Sequence, residues 1–180
     1  LYEAGEGDEL YFQERLVEFE IVRETEDSFE PFLQSFVPQF IESAFNLESH
    51  IFEEIGFYNS INPGVYCVLE KINYVTKPIS FSSDYIVSAN TLNGDFCEGY
   101  SGSENGFYYQ RIINENLPTF YTLKEDGIME EKYEIPESFL KNELMQVTIV
   151  NEEYHRAHLY FIQVKNKWYF FAQNYCDCSA

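Results

Sequence analysis

The run of large apolar residues between Phe29 and Phe45 constrains this chain more than any other feature. Phe29, Phe32, Leu33, Phe36, Val37, Phe40, Ile41 and Phe45 follow one another at spacings of 3, 1, 3, 1, 3, 1 and 4. Such spacing keeps them on one face of an α-helix, and a face so rich in phenylalanine has to be buried against a second layer. Asp27 or Ser28 is the natural N-cap, and Pro31 falls in the first turn, where a missing N–H costs little. Pro38 lies deeper, where it removes an internal hydrogen bond and is expected to kink the helix or split it. A second helix is expected over residues 47–55, stopped at Gly56.

The second layer is read from the far end of the chain. Met145–Val150, His158–Val164 and Trp168–Tyr175 are rich in β-branched and aromatic residues and are joined by residues 151–156 and the tight Lys165-Asn166-Lys167 turn. This reads as an antiparallel meander. Alternation along its last strand places Trp168, Phe170 and Ala172 on one face and Tyr169, Phe171 and Gln173 on the other. Between these signals, residues 65–75, 84–90, 107–113 and 119–123 read as strands, and 136–144 as a short helical turn. Asn93-Gly94 and Asn105-Gly106 are expected to be type I′ hairpin turns. Residues 1–26 read as an acidic leader with a short N-terminal element, and 27–180 as one α+β domain. The expected architecture is N-terminal helices packed into a strongly bent antiparallel sheet.

Composition narrows the possible partners. With 31 acidic residues against 11 basic ones, the chain carries a formal charge of −20. A phosphate backbone needs Lys and Arg to displace its counterions, so nucleic acid is excluded as a partner. No apolar run approaches the length of a transmembrane helix. The 17 Phe and 15 Tyr are an unusual load, and tyrosine suits surfaces that are apolar on one side and wet on the other. The even count of Cys67, Cys97, Cys176 and Cys178 points to an oxidising compartment. The chain is therefore read as exported (periplasmic, cell-surface or secreted), its acidic start a leader freed from a signal or lipid anchor.

Few residues offer chemistry. His158 is a candidate general acid or base, with Asp84 as a possible second proton-transfer group, although a hydrogen-bonded sheet histidine is the plainer reading of His158. His155 and His158 sit beside Glu152 and Glu153, but on a strand residues three apart point to opposite faces, so no metal is expected there. Acidic pairs and the Asp95–Asn105 loop, with Asp95, Glu98 and Glu104, lack the calcium-loop pattern and read as solvated surface. Nucleophile elbows, phosphate loops and dinucleotide fingerprints are missing from the sequence, and no cofactor is expected.

Helices first, then a sheet ending in Asn166-Lys167-Trp168-Tyr169-Phe170-Phe171, resembles the cone-shaped α+β family typified by nuclear transport factor 2. The ending Cys176-Asp177-Cys178-Ser179-Ala180 is most similar to exported members from the Bacteroidetes. The resemblance implies a cone-like half barrel plugged by the helix at 28–46. That family hosts enzymes, binders and interaction modules, so it leaves function open. The reading that follows is a non-enzymatic domain holding a small ligand or an envelope protein in an aromatic-lined concavity, with a homodimer through the sheet as a further option. The alternative is an enzyme of the same fold using a pocket His/Asp pair.

The cysteines yield a test. A Cys176–Cys178 bridge would close a small strained ring, whereas tying the tail to the body of the domain gives it a reason to be ordered. Cys67 and Cys97 are each expected to bridge to one of Cys176 and Cys178, closing loops of about 80 to 110 residues worth roughly 4–5 kcal/mol. Intact-mass analysis with and without reductant, followed by peptide mapping, should find two such bridges. Four free thiols in protein from an oxidising compartment would overturn the pairing.

Overall fold

Helix, turn and sheet are seen in a computed structural model that describes residues 28–42, 44–61, 68–72, 84–89, 92–95, 99–100, 103–117, 121–123, 129–131, 135–151 and 157–175. The expected leader element before Asp27 and all four cysteines lie outside these residues, as do Glu152, Glu153 and His155.

Helix α1 occupies residues 28–42 and runs uninterrupted through Pro38, which is exposed. The expected split therefore does not occur. Pro38 cannot donate to the Gln34 carbonyl one turn back, but Gln34 and Pro38 both lie on the exposed side of the helix, away from the buried stripe that holds it; one residue on, the Gln39 carboxamide donates to the Ser35 carbonyl at 3.0 Å. The expected second helix is a 3₁₀ segment, Ala44–His50, followed by a turn that ends at Gly56. There φ is +80° and the Gly56 N–H donates to the Phe52 carbonyl at 2.8 Å, a left-handed stop that glycine adopts without a steric penalty.

The strands, in chain order, are β1 (Phe57–Ile61), β2 (Val68–Ile72), β3 (Ile86–Ser88), β4 (Gly94–Asp95), β5 (Gly99–Tyr100), β6 (Gly106–Ile112), β7 (Tyr121–Leu123), β8 (Met129–Glu131), β9 (Leu144–Val150), β10 (Ala157–Val164) and β11 (Lys167–Asn174). Seven of them form one sheet in the order β2-β1-β11-β10-β9-β6-β3, while β4-β5 and β7-β8 are separate two-stranded ribbons. The class is α+β. The sheet is open, and it is mixed rather than antiparallel throughout: β1 runs parallel to β11, and β3 parallel to β6. A parallel joint needs a long crossover, and the connection from β3 to β6 carries the β4-β5 ribbon within it.

The three C-terminal strands lie where alternation places them. Their hairpin is closed by Lys165 and Asn166, with φ of 51° and 62°, the paired positive values of a type I′ turn. The Asn-Gly pairs expected to supply such turns do something else: Gly94 and Gly106 begin β4 and β6. At Gly106 the reason is tertiary, because an added Cβ would lie 2.6 Å from the backbone oxygen of Ile86. Glycine allows β3 its close approach.

The helix-side face of the sheet and α1 share one buried cluster. Phe29, Leu33, Phe36, Val37 and Phe40 are fully buried, while Phe32 and Ile41 are half-buried at the edges of the stripe. Phe36 meets Phe161 edge-on at 5.1 Å and Phe170 at 5.2 Å between ring centroids. Two polar contacts pin the start of the helix: the Trp168 indole N–H donates to Ser28 Oγ at 3.2 Å, and the Tyr109 hydroxyl donates to Glu30 Oε2 at 2.7 Å. Trp168 and Phe170 thus face the helix as alternation requires. Ala172 does not. A β-bulge pairs Phe161 with Phe170 but Tyr160 with Ala172, so Phe171 and Ala172 both join the cluster on the opposite face.

Replacing Phe36 with Ala should cost about 3–5 kcal/mol, the usual toll of emptying a phenylalanine site in a packed core. Pro38→Ala should instead stabilise by roughly 2 kcal/mol, helix propensity outweighing the unfolded-state entropy that proline removes. Urea denaturation of both variants, with unchanged m values, checks the pair.

Candidate functional site

On the sheet face away from α1, the strand register lines up polar side chains from five neighbouring strands. Ser88 of β3 is opposite Tyr108 of β6, Tyr108 opposite Thr148 of β9, Thr148 opposite His158 of β10, and His158 opposite Asn174 of β11. Directly opposed residues share a face, and at strand spacing the row spans about 19 Å. The alternation within each strand explains it. Val147 and Ile149 point to the helix side and Thr148 away, while Ala157, Leu159 and Phe161 point to the helix side and His158 and Tyr160 away. Beside the row, Gln146 donates to Thr148 Oγ1 at 3.4 Å. Farther along the same face the residues turn apolar, with Ile112, Leu144 and Ile162 buried in the second cluster.

The centre of the row is a chain of hydrogen bonds. Tyr100, carried by the β4-β5 ribbon, places its hydroxyl 3.3 Å from His158 Nε2. The Tyr160 hydroxyl lies 3.4 Å from His158 Nδ1 and is also hydrogen-bonded to the Asn174 side chain. These lengths sit at the long end of the hydrogen-bond range, so each bond is modest. Burial lowers the His158 pKa from 6.5 to about 4, because the charged imidazolium is penalised out of water. Burial likewise pushes the Tyr160 hydroxyl well above its ordinary value. At neutral pH the imidazole is uncharged, so one ring nitrogen donates and the other accepts. Of the two tyrosine contacts, one hydroxyl therefore donates a hydrogen bond to the unprotonated ring nitrogen while the other accepts one from the ring N–H.

Asp84 is not part of this arrangement. It is exposed, two residues before β3, and β3 stands three strands from β10 in the sheet, roughly 14 Å at ordinary spacing. Glu104 of the expected acidic loop is exposed, and its backbone carbonyl accepts from the Tyr108 hydroxyl at 2.9 Å. Among the described residues, no three His, Cys, Asp or Glu side chains converge on a metal position, and no helix is long and apolar enough to cross a membrane. A second histidine, His50, closes the edge of the aromatic core. It lies against Phe36 and bonds Gln39 Oε1 at 3.2 Å, its pKa lowered by burial and then by Lys167.

Sequence reading singled out His158 but not Tyr100, Thr148, Tyr160 or Asn174. The alternation of polar and apolar residues in β9 and β10 carried part of that signal. The register that sets Thr148 beside His158, and the ribbon that delivers Tyr100, did not show in any local pattern.

The buried imidazole fixes the sign of a pH effect. The folded His158 pKa lies below the unfolded value of 6.5, so its contribution is complete above that pH and is lost as pH falls towards 4. The loss should reach about 3 kcal/mol at most. Urea denaturation of wild type and His158→Gln at about pH 7 and about pH 4.5 should show a smaller acid loss in the variant. Equal losses in the two proteins would refute the assignment. Compared with models of known protein families, with curated proteins and with solved structures, the chain matches none.

Proposed function

We propose that this chain is an exported recognition domain rather than an enzyme, holding a small ligand or an envelope protein partner in an aromatic-lined concavity of a nuclear-transport-factor-2-like cone. The observation that carries this reading is the character of the Tyr100–His158–Tyr160–Asn174 network. Its imidazole is bonded to phenol hydroxyls, and its low basicity, with a pKa of about 4, makes it a poor proton acceptor near neutral pH. Groups of this kind orient a partner by hydrogen bonds more readily than they move protons. The four cysteines and the charge of −20 support export and leave neutral or cationic surfaces as the partners of choice. A second copy of the chain, meeting the first through the sheet, is one such protein partner.

One observation favours the catalytic alternative: a tyrosine–imidazole–tyrosine chain can relay a proton. It lacks support from Asp84, which stands across the sheet. The two readings separate in one experiment. Native mass spectrometry of the domain isolated from its producing cell should show a retained small molecule or protein that leaves on denaturation. Bare protein that chemically converts components of the same cell extract, and loses that activity in His158→Gln, would replace the recognition reading with the enzymatic one.

A further inference from the structure

The two Asn-Gly pairs of the chain, Asn93-Gly94 and Asn105-Gly106, meet different surroundings, and the difference bears on their chemistry. In such a pair the glycine nitrogen can attack the asparagine side-chain carbonyl carbon, because glycine has no Cβ to crowd the approach. A bond forms from that nitrogen to Cγ, its proton passes to the departing carboxamide nitrogen, and ammonia leaves a five-membered succinimide. Water then opens the ring at either carbonyl. One opening gives aspartate, and the other gives isoaspartate, in which the backbone runs through Cβ and Cγ. Neither route needs an oxidant or a cofactor, and each product adds one negative charge at neutral pH.

Geometry separates the two pairs. Asn105 is half-buried, and its backbone carbonyl accepts from the Ile86 N–H at 3.1 Å. Gly106 is buried in the seven-stranded sheet, opposite Ile86 of β3 on one side and Val150 of β9 on the other. Turning the Gly106 nitrogen onto the Asn105 side chain would disturb strand pairing on both sides. Asn93 is exposed, at a bend entering β4. Gly94 belongs to a ribbon of two strands, each two residues long, outside the main sheet. Two-stranded ribbons are marginal on their own, so opening this one costs little beside opening the sheet.

We propose that Asn93 is a site of spontaneous deamidation, and that its isoaspartyl form moves Tyr100 away from His158. Gly94 pairs with Tyr100, and Asp95 with Gly99, so the register of the ribbon is set directly beside the altered bond. Isoaspartate inserts one more carbon into the backbone ahead of Gly94, which displaces that strand relative to its partner. The Tyr100 hydroxyl stands 3.3 Å from His158 Nε2, near the limit at which a hydrogen bond forms, so a small displacement ends the contact. The modification reaches the row through the ribbon, whatever the row binds.

The test ages the full folded chain in mildly alkaline buffer and follows both pairs by peptide mapping with mass spectrometry. The Asn93 peptide should gain one mass unit and separate into aspartyl and isoaspartyl forms. The Asn105 peptide should convert about tenfold more slowly, the factor set by about 1.4 kcal/mol of extra opening cost. In concentrated urea the two should convert at similar rates. Ageing of ¹⁵N-labelled protein should shift the imidazole nitrogen signals of His158 in NMR spectra. Asn93→Gln, whose longer side chain closes the ring far more slowly, should abolish that shift on ageing. Fresh Asn93→Asp, which adds the charge without the extra backbone carbon, should leave the signals in place. An unconverted Asn93, conversion of Asn105 at the same rate in folded protein, or a rate difference that persists in urea overturns the site assignment. Isoaspartate at position 93 with unchanged His158 signals, or an equal shift in fresh Asn93→Asp, overturns the coupling to Tyr100.

Discussion

The edge-on packing of the α1 phenylalanines into the β10-β11 hairpin is the contact on which the rest of the structure depends. Phe29 meets Trp168 at 4.8 Å and Phe161 at 5.4 Å, and Phe36 meets Phe161 and Phe170 at 5.1 and 5.2 Å. Tilted and edge-to-face pairs of this kind gain from the ring quadrupoles as well as from burial. Because every ring touches several others, the helix has one seat on the sheet rather than a range of them. The bonds from Trp168 to Ser28 and from Tyr109 to Glu30 then set its position along its own axis. With one face of the central strands committed to the helix, the polar residues that alternate with those rings are forced onto the other face, where they meet as a row.

That row of hydroxyl, imidazole and carboxamide groups belongs to a chain of strongly acidic composition, with 31 acidic residues against 11 basic ones. Protein surfaces with a strong single sign of charge act on ligands at a distance, whereas the imidazole and phenol groups here act only on contact. Low basicity at His158 follows from its burial in the row, which penalises the charged imidazolium.

What could be read from the sequence was local. The burial of Phe29, Leu33, Phe36, Val37 and Phe40 follows from spacing within a single helix, and the positions of β9, β10 and β11 follow from alternation between turns. Of the two outcomes expected at Pro38, a split does not occur, because an exposed proline removes a donor from the solvent side of the helix and leaves its buried stripe intact. The parallel joints were hidden, since β1 and β11 are separated by most of the chain and nothing in either strand specifies the other. Asn105-Gly106 misled for a related reason: the glycine answers the approach of Ile86, a tertiary demand with no turn signature. His158 was recognisable as a residue with chemistry, yet Tyr100, one of its partners, lies 58 residues earlier in the chain.

The bulge at Phe171 and Ala172 has a consequence for how this strand can vary. One extra residue shifts the phase of β11, so that its first half and its second half obey opposite inside–outside rules. With a regular strand, Gln173 rather than Asn174 would stand beside His158, and Ala172 would lie beneath the helix. The first half of β11 is thereby held to the aromatic demands of α1, while the second half presents Gln173 to the buried amide pair with Asn59, at 3.0 Å, and Asn174 to the row. A single strand thus carries two independent side-chain codes, and the residues beside His158 can change without altering the spacing of those that hold the helix.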